Sequence, residues 1–170
     1  MWLSTLLRRP ASVSNIKVRP NWRNPIHVLA FGLGSGAAPK APGTFGTLAA
    51  VAFYVPLSYL SLDLYLLVLL LSAVVGVYLC GKTAQDLGVH DHGGIVWDEF
   101  VGFWITMIAA PAGWVWILVG FVLFRIFDIA KPWPINWIDK KVAGGFGIML
   151  DDVIAGLMAA AVLQCLAWYV

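Results

Sequence analysis

Two adjacent acid pairs, Asp98-Glu99 and Asp151-Asp152, each stand where a polar stretch gives way to a long apolar one, and Asp128 stands where an apolar stretch ends. Ionisable side chains at such depth are costly and mark a working site by default. Carboxylates gathered alone repel one another. Around a hard divalent cation they are satisfied, and Mg²⁺ takes oxygen ligands while keeping waters and substrate phosphate oxygens. A simpler role, complementing positive helix N-termini, accounts for one such pair taken alone; two pairs at matching depth point to a site. Successive helical residues lie about 100° apart, so both members of a pair need not face inward. Asp98 shares a stripe with Gly102, and Asp152 with Gly156 and Ala159, small residues that permit close helix contact. Asp98 and Asp152 are therefore expected to face the site, with Glu99 and Asp151 as partners.

Arg125 and Asp128 are three residues apart and share a helix face, and Lys131 continues that row just before Pro132. Arginine offers a two-pronged fork to phosphate and lysine a point charge. An Arg125–Asp128 ion pair with Lys131 reaching to water is the plainer reading of the same spacing, and it is compatible with a working role. Two glycine-containing loops lie on the same side. In residues 34–47, Lys40, Thr44 and backbone N–H groups could hold an anion, with Thr47 as a helix N-cap. A connecting loop is equally consistent, and the Gly-Lys-Ser/Thr ending of a nucleotide loop is absent. Gly144-Gly145-Phe146-Gly147 leads into Asp151-Asp152, where missing side chains allow close approach to a ligand. His90-Asp91-His92 lacks a further soft ligand and reads as a polar loop rather than a zinc site, and His27 as structural. No Gly-x-Ser-x-Gly elbow and no cysteine phosphatase loop occurs. The nucleophile is then metal-activated water or a carboxylate.

These residues need elements to hold them, and composition says in what medium. The chain of 170 residues is 61% hydrophobic and 12% charged, against roughly 45–50% and 25% in soluble domains. A net charge of +2 gives no footing for nucleic acid. Residues 41–62, 64–81, 100–124 and 153–170 are free of charge, and Pro111-Ala112-Gly113 divides the third stretch. The prediction is an all-α polytopic membrane bundle of about five helices, near 47–61, 64–81, 95–110, 114–130 and 148–169. The third spans only about 24 Å and is short for a full crossing. Five crossings place the three long polar segments, with every Lys and Arg, on one side, which is the cytoplasm by the positive-inside rule. Tyr59, Tyr65, Trp114, Trp116, Trp168 and Tyr169 would form the far aromatic belt, and Tyr78, Trp97, Trp133 and Trp137 the cytoplasmic one. Residues 1–24 read as a basic tail suited to anionic headgroups, and 25–170 as the membrane-embedded catalytic domain. Cys80 and Cys165 read as buried spectator thiols.

In their order and spacing, Ala41-Pro42-Gly43-Thr44, His90-Asp91-His92-Gly93, Val96-Trp97-Asp98-Glu99-Phe100, Phe124-Arg125 with Asp128, Lys131-Pro132-Trp133-Pro134-Ile135 and Gly145-Phe146-Gly147-Ile148-Met149-Leu150-Asp151-Asp152 resemble the phosphatidylglycerophosphatase A family. The resemblance runs from about Asn24 to Gly156 and continues more weakly beyond. It implies a multi-pass enzyme of the bacterial inner membrane, Mg²⁺-dependent, that removes the terminal phosphate of phosphatidylglycerophosphate to give phosphatidylglycerol and inorganic phosphate.

The residues suit that chemistry, because a phospholipid presents its phosphomonoester at headgroup level, where the acids are expected. On this reading Asp98, Glu99, Asp151 and Asp152 hold Mg²⁺, and Arg125, Lys131, Lys40 and Thr44 meet the phosphoryl group. Asp128 is base, ligand or covalent nucleophile. A cation transporter using the same carboxylates is the competing reading, but it needs ionisable groups along the whole membrane path. A lipid phosphotransferase is disfavoured, because its Asp-rich signature is absent.

Overall fold

A computed structural model describes residues 19–89 and 92–169 of the chain. Most of the predicted basic tail, with His90 and Asp91 of the polar loop, lies outside the described residues. Every regular element among those described is helical. A short helix α1 (Pro25–Ala30), capped by the Asn24 carboxamide on the Ile26 N–H, is followed by a 3₁₀ segment, Gly32–Ala37, and then by α2 (Pro42–Leu57), α3 (Leu62–Leu87), α4 (Trp97–Thr106), α5 (Trp114–Ala130), α6 (Ile135–Lys141) and α7 (Gly144–Tyr169).

The predicted boundaries shift where local chemistry overrides the apolar pattern. α2 begins at Pro42, since proline suits a first turn that needs no N–H partner. Thr47 is therefore not an N-cap; it lies inside the helix and its hydroxyl donates to Gly43 O at 2.9 Å. α7 begins at Gly144, so Asp151 and Asp152 stand in its second and third turns rather than its first. The glycines before them do not form a ligand loop. A Cβ on Gly145 would strike the α3 backbone at Val77 and Gly81, so this glycine lets α7 cross α3. α6 arises within the stretch expected to be a loop.

α3 and α7, at 26 residues each, are long and apolar enough to cross a membrane. α4 is the inner element. Glu99 through Thr106 are all buried, and α4 packs against α2, α3, α5 and α7. A helix that is apolar all round belongs in such a position. At 10 residues it is shorter than the predicted 95–110, about 15 Å long. Backbones meet closely where α4 crosses α7, because a Cβ on Gly156 would strike Gly102 O and one on Gly102 would meet Phe124 and Asp152 O.

Polar ties cross the bundle where the backbone offers acceptors: Trp104 Nε1 donates to Ala50 O at 3.0 Å, Tyr65 Oη to Trp104 O at 2.6 Å and Trp97 Nε1 to Ser72 O at 3.1 Å. Tyr65 is thus a buried strut rather than a member of an aromatic belt, and half-buried Trp97 ties α4 to α3. Trp114, Trp168, Tyr169 and Tyr59 at one end, and Trp133, Trp137 and Tyr78, are exposed as expected. Cys80 is buried, but Cys165 is exposed.

The turns between α2 and α3 and between α4 and α5 line a common cavity with Tyr54, Leu57, Leu60, Tyr65 and Met107, so both lie at one end of the bundle. Asp98, Glu99, Asp128, Asp151 and Asp152 gather at the other, while Asp63, in the first turn of α3, stands at the turn end.

Candidate active site

Four elements bring polar groups to that second end. The first turn of α4 supplies Asp98 and Glu99, placed where a helix N-terminus tolerates negative charge. α7 supplies Asp151 and Asp152. The last turns of α5 supply Arg125 and Asp128, and the start of α2 contributes Gly43 and Thr47.

The carboxylates divide into two groups. Asp98, Glu99 and Asp152 each offer an oxygen, and these three oxygens lie within 4.8 Å of one another. Asp151 turns the other way. Its Oδ2 accepts from Lys131 Nζ at 2.7 Å, and its Oδ1 accepts from the Asp152 N–H at 3.1 Å. The expected inward pair, Asp98 and Asp152, is in the cluster, but it is Glu99 rather than Asp151 that joins them. Adjacent residues on a helix diverge by about 100°, and this is the physical reason for the split in α7.

Arg125 faces the cluster from α5. Its Nη1 pairs with Asp128 Oδ2 and lies 4.0 Å from Glu99 Oε1 and 3.5 Å from Thr47 Oγ1. Asp128 in turn is close enough to Glu99 and Asp152 for its charge to act on both. Lys131 ends α5 in a left-handed conformation, φ 42°, with its N–H on Phe127 O at 2.9 Å. Glycine is the usual residue there. The turn aims Nζ at Asp139 of α6, 2.6 Å away, and at Asp151. Burial, the largest single influence on that ammonium, lowers its pKa, but the two carboxylates outweigh it and hold the group above the ordinary lysine value.

Lys40 is exposed, and no hydrogen bond or ion pair among the described residues joins it or the Thr44 side chain to the cluster. His92 accepts the Gly94 N–H on its own Nδ1 at 3.1 Å, and His27 sits between the Asn21 N–H and Asp86, so both serve local structure. The three-carboxylate cluster contains no histidine. The sequence places Gly43 and Thr47 in the 34–47 stretch on this side but does not bring them to Arg125, and it gives Asp139 no part in the site. For Thr47 and Gly43 the available signal was their spacing of four, which puts them on one face of α2.

The donor set fits a hard divalent cation. Glu99 Oε2 and Asp152 Oδ2 are buried and accept no hydrogen bond. Carboxylates removed from water without compensation cost several kcal/mol each, and an oxygen-seeking ion supplies the missing partner.

The family model for phosphatidylglycerophosphatase A matches residues 28–167, which takes in every residue of the cluster. The chain belongs to the phosphatidylglycerophosphatase A family. It is 52% identical over 160 residues to phosphatidylglycerophosphatase A of Escherichia coli (strain K12), covering 94% of this chain and 92% of that protein. It is 50% identical over 148 residues to phosphatidylglycerophosphatase A of Haemophilus influenzae, covering 86% and 91%. No solved structure matches the chain. A member of this family is a phosphatase acting on a phosphate monoester, and the two apolar helices suit association with a membrane.

Proposed function

We propose that this chain hydrolyses the terminal phosphomonoester of phosphatidylglycerophosphate, releasing phosphatidylglycerol and inorganic phosphate, with Mg²⁺ held by Asp98, Glu99 and Asp152. One observation carries the reading: three carboxylates from two helices converge within 4.8 Å beside the Arg125 guanidinium. Mg²⁺, when bound there, supplies Lewis acidity toward a phosphoryl oxygen and acidifies water.

The chain's own groups do the rest. Arg125 orients the phosphoryl group and spreads its charge, the device on which phosphoryl transfer chiefly depends. Asp128 takes a proton from the water that attacks phosphorus, and as the ester P–O bond breaks the same proton passes to the departing glycerol oxygen, which leaves Asp128 ionised again. Lys131, held by Asp139 and Asp151, adds positive charge at the rim. Asp151 keeps Lys131 in place and is not assigned to the ion.

The same reading makes the protein a multi-pass one of the bacterial inner membrane, with α2, α3, α4, α5 and α7 as its five membrane helices. The shared end of the two short turns supports this, as does the bacterial origin of the relatives. Since Lys82, Arg125, Lys131, Lys140 and Lys141 stand at the acid-bearing end, that end faces the cytoplasm. Transport is not favoured, because the clustered carboxylates lie at one end of the bundle.

Phosphate release by detergent-purified protein from phosphatidylglycerophosphate, with Mg²⁺ and with excess EDTA, tests the reading. Release that EDTA abolishes is expected. Folded protein that releases no phosphate in either condition would overturn it.

A further inference from the structure

Arg125 carries a buried contradiction. Its Nη1 meets three acceptors, on Asp128, Glu99 and Thr47, while its Nε is buried and donates to nothing. A planar guanidinium is rigid, so restraints on Nη1 at one end and the side-chain attachment at the other together limit the direction in which its Nε edge points. A buried donor without an acceptor is costly, and a phosphoryl oxygen is the acceptor that the proposed reaction would bring.

Two of the three restraints on Nη1 are carboxylates already placed in the chemistry. The third, Thr47, is fully buried and belongs to another helix. Its hydroxyl has one proton, which goes to Gly43 O at 2.9 Å, so its lone pairs remain for Arg125 at 3.5 Å. A guanidinium has no acceptor, so Thr47 can only accept from Arg125, and donation to Gly43 leaves the Thr47 lone pairs free to do so. Gly43 itself sits where a Cβ would collide with Glu99 Oε1 and come within 3.2 Å of Arg125 Nη1. The first turns of α2 therefore lie directly against the Glu99–Arg125 pair.

Resting on the phosphatase reading above, we propose that Thr47 is a positioning residue for Arg125, holding the guanidinium from α2 so that its Nε edge meets the substrate phosphoryl group. At 3.5 Å the contact is long for a hydrogen bond, and its role is orientation more than affinity. Thr47 touches no reacting atom. Its effect is expected on kcat, because misorientation weakens what Arg125 does in the transition state.

The test uses the full-length protein, phosphatidylglycerophosphate in mixed micelles and saturating Mg²⁺, with monodispersity and thermal midpoint recorded for each variant. Arg125→Lys sets the reference and is expected to lose most activity. Thr47→Val, which keeps the shape and removes the acceptor, is expected to lower kcat about tenfold with little change in KM. Thr47→Ser, which keeps the acceptor, is expected to stay within about twofold of the parent protein. In the Arg125→Lys background, Thr47→Val is expected to add nothing, since two groups that act as one unit are not additive.

Thr47→Val with parental kcat, beside an impaired Arg125→Lys, overturns the positioning role and leaves the phosphatase reading standing. An independent, additive loss from Thr47→Val in the Arg125→Lys background overturns it as well. Parental activity in Arg125→Lys would instead remove the phosphate-binding assignment on which the proposal rests. Should Thr47→Val fail to fold, Thr47→Ala in the same comparison decides the matter.

Discussion

Lys131 Nζ lies 2.7 Å from Asp151 Oδ2, joining the end of α5 to the second turn of α7, twenty residues further along the chain. This ion pair separates Asp151 from its neighbour Asp152, which faces α4. Two adjacent aspartates thus make different contacts, and on the proposed reading their amide variants should differ in kind. Asp98→Asn and Asp152→Asn are expected to lower kcat/KM by about a thousandfold or more and to raise the Mg²⁺ concentration for half activity. Asp151→Asn is expected to cost about tenfold and leave that concentration unchanged. Phosphate release across a Mg²⁺ titration distinguishes them, and full activity in Asp98→Asn and Asp152→Asn would sink the metal assignment.

The same pair sets a pH expectation. Lys131 titrates above the ordinary lysine value, so its charged form is favoured by the fold. Its stabilising contribution is complete below the unfolded-state pKa of about 10.4 and is lost only as pH rises through the higher folded value. Lys131→Met should therefore lower the thermal midpoint by the same amount throughout about pH 6 to 9. A difference that shrank steadily across that window would place the group's pKa lower than the geometry implies.

Gly43 should separate stability from activity. Its backbone is helical, so alanine there is at least as good a helix former. The added Cβ would displace only the ends of the Glu99 and Arg125 side chains. Gly43→Ala is expected to keep or raise the thermal midpoint while lowering kcat/KM about tenfold or more. Unchanged turnover would show that α2 does not confine this pair.

Gly156 should behave in the opposite way. Alanine there would strike Gly102 O, a backbone atom in the crossing of α4 and α7. Overpacking of this kind costs about 1–3 kcal/mol, read as a lower thermal midpoint. Because that crossing also sets the distance between Asp98 and Asp152, activity should fall with it.

Removal of the ion offers an independent check. With Glu99 Oε2 and Asp152 Oδ2 buried and without hydrogen-bond partners, Mg²⁺ should stabilise the parent protein by about 2.7 kcal/mol at a hundred times its dissociation constant, read as a rise in thermal midpoint. The rise should vanish in Asp152→Asn.

The amino-acid sequence by itself determined the helical class, the division at Pro111-Ala112-Gly113, the extent of α5 and the placing of Asp98, Glu99, Asp128, Asp151 and Asp152 at the boundaries of apolar runs, because apolar runs and charge placement are local properties of a chain. It also placed Arg125 and Asp128 on one face, since a spacing of three fixes that within any helix. What only the tertiary structure decided is which neighbour of each pair turns inward. Glu99 joins the cluster because α4 is enclosed on all sides, and Asp151 leaves it because the left-handed turn at Lys131 brings an ammonium from α5 to meet it. The 34–47 stretch was legible as lying on the side of the acids, but the contact of Thr47 and Gly43 with Arg125 was not, because Arg125 lies seventy-eight residues beyond Thr47 and no local period encodes a contact between helices so far apart in the chain.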